Sequence, residues 1–389
     1  MMKASKMILL SVVGLMSLII LFAAIFVWYN FFDISPLDLY KNQTIHQIYV
    51  YSDSIYLVDE DGKGYVSGGF NADLSSMKSD KNVYRGYLNT ENRLNKKTNL
   101  SYPILFFDGQ IKQMFPYSSM KALFITEQNE LYSVDCLTVK KIANEVVFAE
   151  YDTAKSVVYV IDENATLSLI NGGNKTGIVS GVKTVVTYNG RAFVLLVDGN
   201  LCEIIEKDGA NEISAPIFQN VKDFDVVNTS ARYYDKWVSD DAEALENPLF
   251  NVLTNDGKLY AKGYYNITEC GTVGFAPYPD PVLLSDWTII GTDVDTFSCS
   301  AMGTVMKFKD KTCSYYGYDT VLSRNPHFGS ITLDIDNVEN VIADKLSVCV
   351  IDSDGNCYIW GDDLLCQFLK VKDENINIFT DSPLVVSLN

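Results

Sequence analysis

A recurring hairpin is what most restricts the folds open to this chain. Apolar runs break at a short polar turn and resume around Asp61-Gly62, Asp198-Gly199, Asp256-Gly257 and Asp354-Gly355. Asp-Gly between apolar runs marks a tight antiparallel turn, because glycine accepts the positive φ that such a turn requires. Weaker copies run through 125–132, 161–167 and 299–305, which brings the count to seven. Upstream of most copies stands a pair of apolar residues three apart: Ile45/Ile48, Ile111/Met114, Val182/Val185, Val221/Phe224 and Val338/Val341. Each unit therefore supplies several short strands. Residues 44–389 divide into seven units of about 50 residues, at the upper end of the blade lengths known for propellers. The expected architecture is all-β, a seven-bladed β-propeller, whose closure leaves only short and protected sheet edges.

The last unit adds a second kind of evidence. Val338 and Val341 are followed by Val348 to Ile351, the turn at Asp352-Ser353-Asp354-Gly355, then Tyr358-Ile359-Trp360-Gly361 and Gln367. In order and spacing this resembles the repeat of the regulator-of-chromosome-condensation family, and Pro216-Ile217-Phe218 and Pro281-Val282-Leu283-Leu284 match that repeat's opening strand. The family's glycine-histidine pair before the hairpin is absent, and its blade end survives only as Cys366-Gln367-Phe368. The resemblance implies a propeller that recognises other proteins. In that register the chain ends on an opening-strand pattern, Pro383-Leu384-Val385-Val386, while the first unit lacks one. Residues 383–388 are accordingly expected to pair into the first blade and lock the ring.

Ahead of the repeats, residues 7–32 carry no charge. Their apolar part is long enough, at about 1.5 Å per residue, to cross a hydrocarbon layer of about 30 Å. Lys3 and Lys6 precede this stretch and Asp33 and Asp38 follow it, so the positive-inside bias places the N-terminus in the cytoplasm and the rest outside. The expected organisation is a cytoplasmic tail at 1–6, a transmembrane signal-anchor helix at 7–32, a stalk at 33–43 and an extracellular propeller at 44–389. Of the eight cysteines, Cys202, Cys299, Cys349 and Cys357 sit in strand-like apolar runs as buried filler. Cys136, Cys270, Cys313 and Cys366 are left as candidates for a bridge.

The balance of 31 basic against 49 acidic residues, a net charge of −18, argues against nucleic acid, whose phosphates demand clustered cations. Two distant histidines, His46 and His327, offer little for acid–base work. No catalytic residue, metal-ligand set or cofactor motif stands out, and the reading is a binding protein rather than an enzyme. Propellers place recognition in segments longer than a blade needs, and three stretches qualify: 75–99, basic on an acidic body, 228–250, and 264–278. The candidate ligand-binding residues are Arg232, Tyr233, Tyr234, Trp237, Tyr264 and Tyr265, because aromatic rings and arginine anchor interfaces. The expected partner is a protein or a glycan. The alternative is an envelope hydrolase or lyase using carboxylates such as Asp240, Asp241 and Glu243.

Overall fold

The structure, a computed structural model, describes residues 45–51, 54–68, 100–118, 120–135, 137–207, 210–227, 248–265, 282–318, 327–343, 347–361 and 384–387. The expected span at 7–32 and stalk at 33–43 lie outside them, and no helix among the described residues is long and apolar enough to cross a membrane.

The described chain is all-β, with seven sheets of four antiparallel strands, each sheet built from consecutive strands. The first holds β1 (Ile45–Tyr51), β2 (Ser54–Asp59), β3 (Gly64–Gly68) and β4 (Leu100–Phe107). The second holds β5 (Ile111–Ser118), β6 (Lys121–Thr126), β7 (Leu131–Asp135) and β8 (Thr138–Ala143), and the third β9 (Phe148–Asp152), β10 (Val157–Ile161), β11 (Thr166–Asn171) and β12 (Asn174–Ser180). The fourth comprises β13 (Val182–Tyr188), β14 (Arg191–Leu196), β15 (Leu201–Lys207) and β16 (Ala210–Ile213), and the fifth β17 (Val221–Val227), β18 (Leu249–Thr254), β19 (Leu259–Tyr265) and β20 (Val282–Gly291). The sixth has β21 (Val294–Cys299), β22 (Gly303–Phe308), β23 (Cys313–Tyr318) and β24 (Phe328–Leu333), and the seventh β25 (Val338–Ala343), β26 (Ser347–Asp352), β27 (Asn356–Gly361) and β28 (Leu384–Ser387). This arrangement is consistent with a seven-bladed propeller.

An apolar pair opens the first strand of six of the seven sheets; in the third, Val146 lies just ahead of β9 and Ala149 within it. Three residues apart in a regular strand, two side chains would point to opposite faces. A register shift between the first pair residue and the residue two further on, as at Ile111/Gln113, Val182/Thr184, Val221/Asp223, Val294/Thr296 and Val338/Asn340, inserts one extra residue. That bulge brings both members onto one face, where Val182 and Val185, for example, are 1% and 0% exposed. They face the preceding sheet. The core is accordingly divided into seams between consecutive sheets: Val305, Tyr315 and Met302 of the sixth pack on Val338, Val341 and Trp360 of the seventh, and Leu123 and Ile125 of the second pack on Val146, Ala149 and Val160 of the third.

A main-chain bond repeats at the six seams that run from the first sheet to the seventh. The amide of the first pair residue donates to the carbonyl of the left-handed residue in the preceding hairpin: Ile111 to Gly62, Val146 to Asn129, Val182 to Ala165, Val221 to Gly199, Val294 to Gly257 and Val338 to Lys311, all at 2.8–2.9 Å. Every one of those acceptors has positive φ.

Three expectations need correction. The sixth copy of the hairpin is not 299–305, which joins the first two strands of its sheet; the equivalent turn is Lys309-Asp310-Lys311-Thr312, with Lys311 at φ 66°. It was hidden because lysine stands where a turn favours glycine. The terminal strand β28 does not pair into the first sheet but with β27, Tyr358 opposite Val385, and the first sheet is complete from local strands. The opening-strand pattern at 281–284 likewise falls in the fourth and last strand of its sheet, β20, whereas Pro216-Ile217-Phe218 follows β16 and makes only an isolated bridge, Phe218 with Leu201. Finally, Cys313 is a buried free thiol in β23, like Cys202 in β15; Cys136, Cys270 and Cys366 lie outside the described residues.

Candidate functional site on the first strands

First strands of consecutive sheets pack on one another, β1 with β5, β5 with β9, β9 with β13, β13 with β17 and β21 with β25. Beyond the apolar pair, the next residue along the first strand points towards the following sheet in the first six sheets. That position is filled by Tyr49, Phe115, Glu150, Val186, Asp225, Ser298 and Ile342. Aromatic and aliphatic members pack: Phe115 meets Phe148 with ring centroids 5.0 Å apart. Polar members reach across the seam instead. Glu150 Oε1 accepts from the Thr187 amide at 3.0 Å and the Thr187 hydroxyl at 2.8 Å. Asp225 Oδ2 accepts from the Cys299 thiol at 3.3 Å, and Ser298 Oγ accepts from the Ala343 amide at 2.9 Å.

Burial decides the ionisation of these groups. It pushes Glu150 up to about 7 against the two Thr187 hydrogen bonds, with the charges of Asp225 and Asp152 adding to the rise. Asp225 is raised by burial, partly offset by the Cys299 and Val226 hydrogen bonds. Burial, then Asp225, raises the Cys299 thiol well above its ordinary range. A thiol so held is a poor nucleophile, since the thiolate is the reactive form. Behind Cys299, Thr304 donates to Asn251 Oδ1 at 2.9 Å, and its hydroxyl lies 3.2 Å from that of Tyr265. Among the described residues no three His, Cys, Asp or Glu side chains converge to hold a metal ion.

The residues singled out in the sequence fall elsewhere. Arg232, Tyr233, Tyr234 and Trp237, with Asp240, Asp241 and Glu243, lie outside the described residues, in the connection between β17 and β18. Tyr264 and Tyr265 end β19 and point oppositely: Tyr264 is half-buried, whereas Tyr265 has no exposed surface. The Tyr265 ring packs edge-on to Tyr316 and Phe328 of the sixth sheet, at 5.7 and 5.3 Å. Its place is in a seam rather than on a surface. Nothing in the sequence flagged Glu150, Asp225 or Cys299, because their partners lie 37 and 74 residues away.

Strand order also fixes where the long connections emerge. In a four-stranded meander the first–second and third–fourth links share one end, and the second–third link and the passage to the next sheet share the other. The repeated seam bonds align these ends from sheet to sheet. The connections 69–99, 228–248, 266–281, 319–327 and 362–383 all leave from the first end, in the fifth, sixth, seventh and first sheets. At the opposite end the longest is 214–220.

No protein-family model matches the chain, and no curated protein matches it in sequence. Solved structures share its fold. That of Prp20p from Saccharomyces cerevisiae, reported with its binding properties to Gsp1p and histones, aligns over 91% of this chain and 90% of its own, with TM-score 0.55 and 12% identity. Yeast RCC1 (Prp20) in complex with Kap60 aligns over 91% and 87%, with TM-score 0.54 and 12% identity.

Proposed function

We propose that this chain is a membrane-anchored, externally facing propeller that binds a partner protein through the connections gathered at one end of its sheets. The observation that carries this reading is the one-sided placement of the long connections over neighbouring sheets, since a rigid scaffold that concentrates its variable segments on one side presents a single contact surface. Similarity of fold to proteins reported bound to Gsp1p, histones and Kap60 supports a protein partner ahead of a glycan. The uncharged stretch 7–32, between Lys6 and Asp33, supplies the anchor. Arg232, Tyr233, Tyr234 and Trp237 carry the contact.

Crosslinking the full-length protein in intact cells, followed by recovery and identification of captured protein, tests this. Replacing Arg232, Tyr233, Tyr234 and Trp237 together by alanine is expected to reduce capture at least about tenfold, the scale of lost interface anchors. Undiminished capture of the same partner by that variant would overturn the assignment.

A further inference from the structure

Between the third and fourth sheets, and between the fifth and sixth, the outer strands supply apolar side chains from both walls: Ile178 and Val179 with Ile204 and Ile213, and Val282 and Leu284 with Tyr316 and Phe328. The fourth–fifth core instead stops at Leu201, Phe218 and Trp287. Beyond it the two walls do not match. On the fifth sheet, Tyr260, Lys262 and Tyr264 of β19 share a face with Val252 and Phe250, towards the fourth sheet, and carry Ile289 and Leu283 of β20 opposite Tyr260 and Tyr264. On the fourth sheet, Glu203 stands opposite Phe193, and two residues on Ile205 stands opposite Glu212. Charge therefore occupies positions that the neighbouring seams fill with apolar side chains.

Those charges satisfy one another. Arg191 donates to both oxygens of Glu203 at 2.7 and 2.9 Å, and Lys207 Nζ lies 3.7 Å from Glu212. The apolar side chains are left uncovered. Ile205, Leu283 and Ile289 are 38%, 39% and 49% exposed, three of the five large apolar side chains exposed among the described residues. Apolar surface gathered along one seam, with a polar wall beside it, marks a contact rather than scatter. Spacing specifies what fits. Leu283 with Tyr264 and Ile289 with Tyr260 form two apolar steps four residues apart along β19, about 13 Å. Lys262 stands midway, its Nζ 5.8 Å from the centre of the Trp287 ring, and among the described residues no carboxylate pairs with it. An extended chain laid along the groove presents residues i, i+2 and i+4 on one face at the same spacing. Its intervening residues meet the paired charges of the fourth sheet and must be polar.

We propose that the outer half of the fourth–fifth seam is a docking groove for an extended segment of the partner protein with the pattern apolar-x-acidic-x-apolar, where x is polar. The two apolar side chains rest on Leu283 and Ile289, and the carboxylate pairs with Lys262. The groove opens at the end from which the connections 228–248 and 266–281 leave, so it adds an anchor to the partner contact proposed above and presupposes that contact.

Benzoylphenylalanine placed singly at Ile205, Leu283 and Val197 of the full-length protein, with irradiation of intact cells, tests the groove; Val197 lies in a turn at the opposite end. Positions 205 and 283 are expected to trap the protein recovered by whole-cell crosslinking, through a peptide of that pattern, at least about tenfold more than position 197. Leu283→Arg should reduce capture of that protein at least about tenfold and Lys262→Glu about fivefold. Leu105→Arg, at an exposed apolar site on the first sheet, should leave it unchanged. Capture of the partner without adducts at 205 or 283 overturns the groove and leaves the partner contact standing. Adducts from those positions to residues 266–281 of the same chain, or to a second copy, also overturn it. If whole-cell crosslinking recovers no protein, the partner contact fails and the groove with it.

Discussion

At the residue scale, one backbone conformation serves two purposes. The hairpin turns need a residue with positive φ, and the carbonyl of that same residue receives the amide of the next sheet. Glycine supplies it at Gly62, Gly199 and Gly257, but Asn129, Ala165 and Lys311 do the same work at φ 59°, 59° and 66°. A β-carbon in that region costs about 1–2 kcal/mol. Ala165→Gly is expected to stabilise the protein by about 0.5–1 kcal/mol, after allowing for the greater freedom of glycine in the unfolded chain; chemical denaturation checks the sign. Gly303 is constrained by space instead. A β-carbon there would lie 2.0 Å from the Tyr315 hydroxyl, which donates to the Tyr318 carbonyl at 2.8 Å. Gly303→Ala should destabilise by about 1–3 kcal/mol, in the range of overpacked cores, and a denaturation midpoint no lower than wild type would contradict this contact.

Among the elements, β20 shows how an edge strand is put to use. Its register jumps between the pairs Ala261/Thr288 and Gly263/Leu284, so Ser285, Asp286 and Trp287 stand opposite the single residue Lys262. The bulge folds the Trp287 ring onto Phe218 and Phe250 at 4.8 and 5.9 Å, with Lys262 Nζ 5.8 Å from its centre. A bulge of this kind also breaks the row of free edge groups that would otherwise recruit another chain. Trp287 is half-buried, so Trp287→Ala should cost about 2–3 kcal/mol, less than full excision of a buried tryptophan. Melting curves of the variant would show it. Nothing in the residues 282–291 marks the bulge, since Trp287 finds its partners on β18 and in the passage between the fourth and fifth sheets.

For the whole molecule, consecutive four-stranded sheets with aligned ends separate two kinds of surface. One end carries short turns and the other the long connections. The orientation proposed for the membrane can be read from the short-turn end. Val197, in the turn between β14 and β15, is 67% exposed, whereas Cys202, Cys313 and Cys349 are buried. Val197→Cys in the full-length protein should be labelled by a membrane-impermeant maleimide on intact cells well beyond the wild-type background. Labelling only after permeabilisation would place the sheets on the inner side.

The sequence by itself determined the repeat, its number and most of its turns, because Asp-Gly at a hairpin and two apolar residues leading a strand act over a few neighbours. The sixth turn escaped, since a left-handed lysine leaves no mark in composition, and the terminal strand was assigned to the wrong sheet because an apolar run does not name the edge it will join. Tertiary structure alone decided that Tyr265 lies inside a seam, that Glu150 meets Thr187 and Asp225 meets Cys299, and that the long connections share one end. Each of these depends on which sheets become neighbours, and a seam joins residues whose separation along the chain, tens of positions, exceeds the reach of any local pattern.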